Sequence, residues 1–391
     1  MISLSREQRR ARLARRHHLV EPAGDVAEAA HSVVAVHSSD PVTVFLSMWA
    51  RVDGFEVADL EAALYEQRSL VRHWGMRRTL WVTDRALLPD MIGSSTNSIG
   101  QRERRRSATM IEKGGVAEDG EAWLRDVLPK TLEAVRASGP LFARDLTRQI
   151  PELGDKITFT NQAGRVMGTT GMSSRALTQL GMESSVVRAR PAGTWVSGQY
   201  SWAEIEDWLG SPLVVPPEPE ASARVVQRWL ETFGPGSEND LKWWTGWPVT
   251  RVRRALEAVE AVPVDLGEDG TGFLLPDDLD EVTPPEPWVA FLPSLDSTPM
   301  GWKERDWFLG SHQRVLFDIN GNAGPTVWIN GRVVGGWAQR KDGGVVFELL
   351  EEVTPVELRS IESTRDGLQE WLAPVVVTPR FRSPMDRSLA P

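Results

Sequence analysis

The chain has 391 residues, a net charge of −10 at pH 7 and no cysteine. This length predicts two to four domains, and the absence of cysteine excludes disulfides, thiolate nucleophiles and Cys-ligated metal sites. No stretch approaches the roughly 18 consecutive apolar residues of a membrane span, and the N-terminus lacks the apolar core of a secretion signal. We therefore expect a cytoplasmic protein.

The first predicted helix, near residues 5–16, is rich in arginine. Residues 1–20 hold six arginines against one acidic residue, Glu7, and residues 101–106 hold four more. Acidic residues concentrate elsewhere, for example between 277 and 286. These runs indicate either a basic binding face on an acidic protein or arginine-rich helices that are simply solvated, and the latter is the commoner case.

A group of helices followed by two β-rich runs recurs three times, which is typical of winged-helix units. The first copy has predicted helices near 5–16, 24–36, 41–50 and 56–67, and strands at 70–74 and 79–83. The second has helices near 120–138, 141–149 and 172–180, and strands at 184–190 and 194–197. The third has helices near 219–232, 237–244 and 248–259, and strands at 261–266 and 272–275.

The C-terminal part is predicted to be mostly β-structure. Asn330-Gly331 lies between two β-rich runs, a strong signal for a hairpin. A helix is predicted over 355–372, and the predicted strands are 289–292, 315–319, 326–329, 332–338 and 344–350. Several short strands of this kind favour a small barrel or a strongly curled sheet. The predicted fold is therefore α+β, with three tandem winged-helix units (1–115, 116–212 and 213–285) followed by a C-terminal β-barrel-like domain (286–391).

Five segments carry a family resemblance, at residues 40–51, 76–80, 244–247, 254–256 and 327–337. In this order and spacing, the chain resembles the AlkZ-like DNA glycosylases, bacterial proteins with winged-helix DNA-binding domains. The resemblance spans nearly the whole sequence. It implies a C-shaped molecule whose winged helices and β-barrel enclose a positively lined channel for duplex DNA. It also implies hydrolysis of the N-glycosidic bond of N7-alkylated purines, including crosslinked ones, and self-resistance to a DNA-alkylating natural product.

The family's active-site motif is Gln-apolar-Gln directly before an Asp-Pro pair. Here these positions are His37-Ser38-Ser39 before Asp40-Pro41. An N7-alkylated purine is already a cationic leaving group, so a positioned water and stabilisation of the sugar cation matter more than acid catalysis. We predict that His37, with a pKa near the working pH, orients or deprotonates the water, that Ser39 holds it, and that Asp40 stabilises the sugar. Alternatively, Ser39 or Asp40 only caps the next helix and His37 is a half-buried histidine with satisfied hydrogen bonds.

Basic and polar residues at the predicted wings are candidates for DNA contact. Winged helices commonly contact phosphates or the minor groove with such residues, although hairpin arginines are often only solubilising. The candidate residues at the wings are Arg77, Arg78, Arg188 and Arg190. Asn161 and Gln162, between helices of the second unit, are further candidates that either face DNA or form an ordinary loop.

Two functions remain open from the sequence. One is a DNA glycosylase for bulky or crosslinked alkylpurines, and the other is a non-catalytic winged-helix protein that sequesters lesions or regulates. The predicted partner in the first case is double-stranded DNA carrying alkylated purines, bound by a monomer. No metal-binding, P-loop or dinucleotide-binding motif is present, so no metal or cofactor is expected.

Overall fold

The computed structural model describes residues 2–160 and 165–391. It is an α+β protein whose described strands form five antiparallel sheets. One sheet has three strands, one has four, and three are two-stranded hairpins. The α+β part of the predicted fold class is thus confirmed. No helix among the described residues has the length and apolar character needed to cross a membrane.

The first region contains the three-stranded sheet. Asp40 caps α3, and Pro41 occupies its first turn, where a missing N–H costs nothing. The strand order is β1-β3-β2, and His37 pairs with Trp81. The elements are α1 (Arg6–Arg16), α2 (Val26–His31), β1 (Val36–His37), α3 (Pro41–Trp49), α4 (Val57–Glu61), β2 (Leu70–Trp74), β3 (Leu80–Asp84), α5 (Leu88–Met91) and α6 (Asn97–Lys113).

The second region departs from prediction in its strands. Its elements are α7 (Gly120–Ser138), α8 (Ala143–Gln149), β4 (Lys156–Thr160), β5 (Val166–Gly171), α9 (Met172–Met182), β6 (Val186–Pro191), β7 (Tyr200–Glu204) and α10 (Ile205–Leu209). The β4–β5 hairpin was not predicted, and the partner of β6 is β7 instead of residues 194–197. Those residues form a loop because Trp195 packs against Phe45 and Trp371.

The third region matches its predicted elements closely. An amphipathic α11 and two shorter helices precede a hairpin, as the spacing of apolar residues indicates. The elements are α11 (Glu218–Phe233), α12 (Glu238–Thr245), α13 (Val249–Ala258), β8 (Val262–Asp265) and β9 (Thr271–Leu274).

The C-terminal region holds an open sheet and no closed barrel in its described residues, so the predicted barrel-like domain is not confirmed. The strand order is β10-β11-β12-β13, and no pairing joins β10 to β13 in the described part of the chain. Helix α16 packs on both of these edge strands and covers the apolar face that closure would have buried. The elements are β10 (Val289–Leu292), α14 (Asp306–Leu309), α15 (Gln313–Leu316), β11 (Thr326–Ile329), β12 (Arg332–Gln339), β13 (Val345–Leu349), α16 (Pro355–Leu372) and α17 (Pro384–Leu389).

Two local predictions in this region have opposite outcomes. The Asn330-Gly331 turn is confirmed, since both residues have positive φ (48° and 79°) between paired strands β11 and β12. The predicted strand 315–319 is wrong, because α15 buries Leu316 while Ile319 is fully exposed.

A buried network joins the first and C-terminal regions. Arg51, at the end of α3, forms a bidentate salt bridge with Asp296, with its shortest contact at 2.7 Å. Ser47 donates to the same carboxylate at 2.7 Å. All three side chains are buried. The helix that follows the candidate motif is therefore fixed to the C-terminal region.

Candidate functional site

His37 is a buried histidine in β1. Its side chain is only 4% exposed, and its ring packs edge-on against Trp81 at 4.9 Å between centroids. Its Nδ1 accepts a long hydrogen bond, 3.4 Å, from the main-chain N–H of Ser39. Burial, followed by the charge of Arg77, lowers the pKa of His37 to about 3. The predicted pKa near the working pH is therefore wrong, and the imidazole is neutral at neutral pH.

Ser38 and Ser39 have different environments. Ser38 is buried, and its Oγ accepts from Arg72 Nε at 2.7 Å. Arg72 also donates to the Tyr65 hydroxyl at 2.9 Å. Ser39 is half-buried, which makes it the most accessible residue of the motif. The motif thus has one half-buried serine, and it uses the hydroxyl of the other to bind a buried arginine.

Asp40 is the N-cap of α3. Its buried carboxylate accepts from the Val42 N–H at 3.3 Å and from the main-chain N–H of Arg380 at 2.8 Å. Burial raises the pKa of Asp40, against these hydrogen bonds and the nearby Arg380 charge, which lower it. The alternative prediction of a helix cap is confirmed. Asp40 also fixes the C-terminal segment beside the motif.

Arg77 and Arg78 form the turn between β2 and β3, both with positive φ. Arg77 stacks on Trp243, 4.4 Å from the ring centroid, and its Nε has no hydrogen-bond partner among the described residues. Burial lowers the pKa of Arg77 to about 10. Arg78 instead pairs with the buried carboxylate of Glu103 at 2.9 Å. Both arginines line an open cavity of about 320 Å³, together with Arg102.

Arg188 lies in β6 among aromatic rings. Its guanidinium is 5.2 Å from the ring centroids of Tyr200 and Trp202 and 5.7 Å from that of Trp74. Its Nε also lacks a partner in the described part of the chain. Burial is the main cause that lowers the pKa of Arg188 to about 10. Among the described residues, no carboxylate acts on Arg188.

The other residues predicted to contact DNA are placed differently. Arg190 is exposed and pairs with Glu61 at 2.7 Å and Glu66 at 3.4 Å, so its donors already have acidic partners. Asn161 and Gln162 lie outside the described residues, although the flanking strands β4 and β5 pair with each other. The structure thus brings His37 near Arg77 but gives Arg190 a structural partner.

Sequence reasoning missed Arg72, Tyr200 and Arg380. Arg72 is bonded to Ser38, and its guanidinium lies 4.5 Å from the Tyr200 ring centroid. Arg380 donates from Nη1 to the carbonyl of Ser39 at 3.3 Å, although 341 residues separate them. No motif marks these residues, because their association depends on tertiary packing alone. Among the described residues, no cluster of three or more His, Asp or Glu side chains could hold a metal ion.

The fold and this site can be compared with known proteins. A family model described as DNA glycosylase AlkZ-like matches residues 30–371. The solved structure of Streptomyces sahachiroi DNA glycosylase AlkZ is similar, with a TM-score of 0.73 and 16% sequence identity over 93% of this chain and 95% of that chain. No curated protein sequence matches the chain. The matched class is that of DNA-repair glycosylases. The chain belongs to the AlkZ-like DNA glycosylase family.

Proposed function

We propose that this protein is a DNA glycosylase that acts, as a cytoplasmic monomer, on bulky or crosslinked N7-alkylated purines in double-stranded DNA. One observation carries the proposal. His37 and Ser39 occupy the family's motif positions immediately before the Asp40-Pro41 helix start, close to uncompensated arginines on two neighbouring hairpins. Such arginines suit a polyanionic substrate.

The hairpins β2–β3, β6–β7 and β8–β9 each follow a group of helices. In this proposal they are the wings of three winged-helix units. Arg77 and Arg188, which lie on the first two hairpins, contact the DNA backbone. Neither guanidinium has an acidic partner in the described part of the chain, which supports that role.

The proposed reaction breaks the bond between the purine N9 and the sugar C1′. The electron pair of that bond neutralises the cationic base, and a water adds to C1′ and then loses a proton to solvent. Ser39 holds this water, because its side chain is the most accessible of the motif. Neutral His37 is a positioning residue that accepts the Ser39 N–H. The buried Asp40 carboxylate stabilises the sugar cation electrostatically.

A second candidate function is DNA binding without catalysis. His37 is 4% exposed and Asp40 is 3% exposed. The Asp40 oxygens already accept main-chain N–H groups. These facts favour a lesion-sequestering or regulatory protein in which the motif is structural.

Single-turnover release of 7-methylguanine, and of a bulkier N7 adduct, from duplex DNA tests the proposal. We expect release by the wild type, and a loss of about 100-fold in His37→Ala and Ser39→Ala with DNA affinity retained. His31→Ala, which removes an exposed histidine paired with Asp84, is the matched control. If no adduct is released while DNA is still bound, the binding-only function replaces the glycosylase.

A further inference from the structure

Three arginines from distant parts of the chain converge around Tyr200. Arg72 comes from β2, Arg188 from β6, and Arg380 from the segment between α16 and α17. The first two guanidiniums lie 4.5 Å and 5.2 Å from the Tyr200 ring centroid. The third packs against Gly198, where an added Cβ would lie 2.0 Å from Arg380 Nη2. The positive charge of Arg380 is close enough to act on the pKa values of both Arg188 and Tyr200.

The positive charge of this cluster is not neutralised within the described residues. None of the three arginines forms a salt bridge there, and Arg72 Nη2 and Arg188 Nε are buried without hydrogen-bond partners. Asp40 is near Arg380, but its carboxylate accepts main-chain N–H groups and makes no salt bridge. Buried charges without partners are costly unless a counter-ion satisfies them. The cluster is therefore arranged for an anion.

An open cavity of about 290 Å³ lies next to the cluster. Its wall includes Arg188 and an exposed second arginine, Arg144, along with the polar side chains of Ser174, Thr178 and Gln199. No acidic residue is present in this wall. Guanidinium, hydroxyl and amide donors are the groups that bind phosphate oxygens in proteins.

We propose that Arg188 and Arg380 bind a single phosphate of the DNA backbone at the mouth of this cavity, while buried Arg72 adds positive charge behind them. The proposal rests on the proposed function for its ligand, DNA. Arg380 connects this phosphate to the motif, because its side chain contacts the Ser39 carbonyl and its main-chain N–H binds Asp40. It acts as a positioning residue. Arg380 also lies beyond residues 30–371, the part of the chain that the family model matches.

Neutralising one phosphate at a time tests this contact. Short undamaged duplexes, each with one phosphate replaced by an uncharged methylphosphonate, are titrated with the wild type and with Arg380→Gln. In the wild type, we expect one position at which the replacement lowers affinity about tenfold. In the variant, unmodified DNA binds about tenfold more weakly and the same replacement has little further effect, because the two changes remove one contact.

Two further variants, and a control for the second, separate this contact from general charge effects. Arg387→Gln removes an exposed arginine of α17, from the same C-terminal segment, and should leave the sensitive position unchanged. Gly198→Ala keeps every charge but displaces the Arg380 guanidinium, so it should weaken the response to the methylphosphonate. Gly168→Ala, where an added methyl group meets open space, is its control.

The proposed phosphate site is wrong if, at every position, the loss of affinity caused by Arg380→Gln and the loss caused by the methylphosphonate multiply as independent effects. It is also overturned if Arg387→Gln removes the sensitive position as effectively as Arg380→Gln. The measurement uses binding to undamaged DNA only. A protein that binds DNA with the predicted coupling but releases no base would retain this site and lose the proposed glycosylase function.

Discussion

Arginine has opposite roles in two regions of this molecule. In the N-terminal helix α1, the charges of the arginines are neutralised by acidic residues that are far away in sequence. Arg9 pairs with Asp269 at 3.0 Å, and Arg12 and Arg16 each contact Asp278 at 2.5 Å. Acidic residues in the β8–β9 turn and after β9 thus neutralise these arginines of the N-terminal run. This run is structural, since Arg9 and Arg12 are buried and Arg10, Arg15 and Arg16 are half-buried.

At the candidate site, by contrast, Arg77 and Arg188 come from separate hairpins and have no acidic partner among the described residues. Arg77 and Arg188 stack on aromatic rings, and each has a nitrogen without a partner among the described residues. Burial lowers the pKa of both to about 10. The density of arginine along a sequence is therefore a poor guide to a binding surface. An arginine remains able to bind an anion only where no acidic side chain from another part of the fold pairs with it.

Removing Asp278 should have the largest effect on stability. Asp278→Asn leaves Arg12, which is 1% exposed, without its carboxylate, so we expect the free energy of unfolding to fall by about 3 kcal/mol. The DNA affinity of the folded protein should not change. Urea denaturation measures the first quantity and a binding titration the second. Glu268→Gln, at an acid that is 92% exposed, is the control and should change stability by less than about 0.5 kcal/mol.

The second prediction concerns the neutral histidine beside Arg77. The pKa of His37 is about 3 in the folded protein and about 6.5 when unperturbed. The folded state therefore binds fewer protons, and the stability that neutral His37 contributes is complete above about pH 6.5 and is lost as the pH falls toward about 3. Between about pH 7 and about pH 5, the wild type should lose about 2 kcal/mol more than His37→Gln.

Denaturation of both proteins across this pH range checks the difference. Buried His17 and His73 also have lowered pKa values, and they affect both proteins equally. Parallel pH profiles for the wild type and His37→Gln would show that His37 titrates normally and is not held neutral in this region.

Much of the fold could be predicted, because local signals determine it. The Asn330-Gly331 turn and the helix 355–372 follow from residue type and spacing. The wrong predictions fail because packing between distant parts of the chain overrides the local signals. Residues 194–197 have strand-like composition but become a loop to bury Trp195, and the C-terminal sheet stays open because α16 covers it.

The site was predictable only in part. The motif positions 37–40 were located by family resemblance, and the capping role of Asp40 by its place before Pro41. The low pKa of His37 requires the pairing of β1 with β3, which brings the ring against Trp81. The contribution of Arg380 requires the C-terminal segment to return to α3. No local pattern in the sequence encodes either long-range contact.

A smaller effect is expected at the first hairpin. Arg77→Gln should lower affinity for duplex DNA about tenfold and reduce the slope of log affinity against log salt by about one. Arg78→Gln should have a weaker effect, because Arg78 already pairs with Glu103. Binding titrations over a range of salt concentrations measure both. If a variant that carries both Arg77→Gln and Arg78→Gln binds DNA like the wild type, DNA does not lie along this hairpin.

The smallest effect is expected at Arg190, two residues from Arg188 on the same strand. Its ion pairs with Glu61 and Glu66 are exposed, so Arg190→Gln should change the free energy of unfolding by less than about 1 kcal/mol. Its effect on DNA affinity should be less than about twofold, whereas Arg188→Gln should cost about tenfold. Equal losses of affinity in the two variants would mean that acidic partners do not determine which arginines bind DNA. Because the two residues share one strand and one charge, this pair is the closest internal test of that rule.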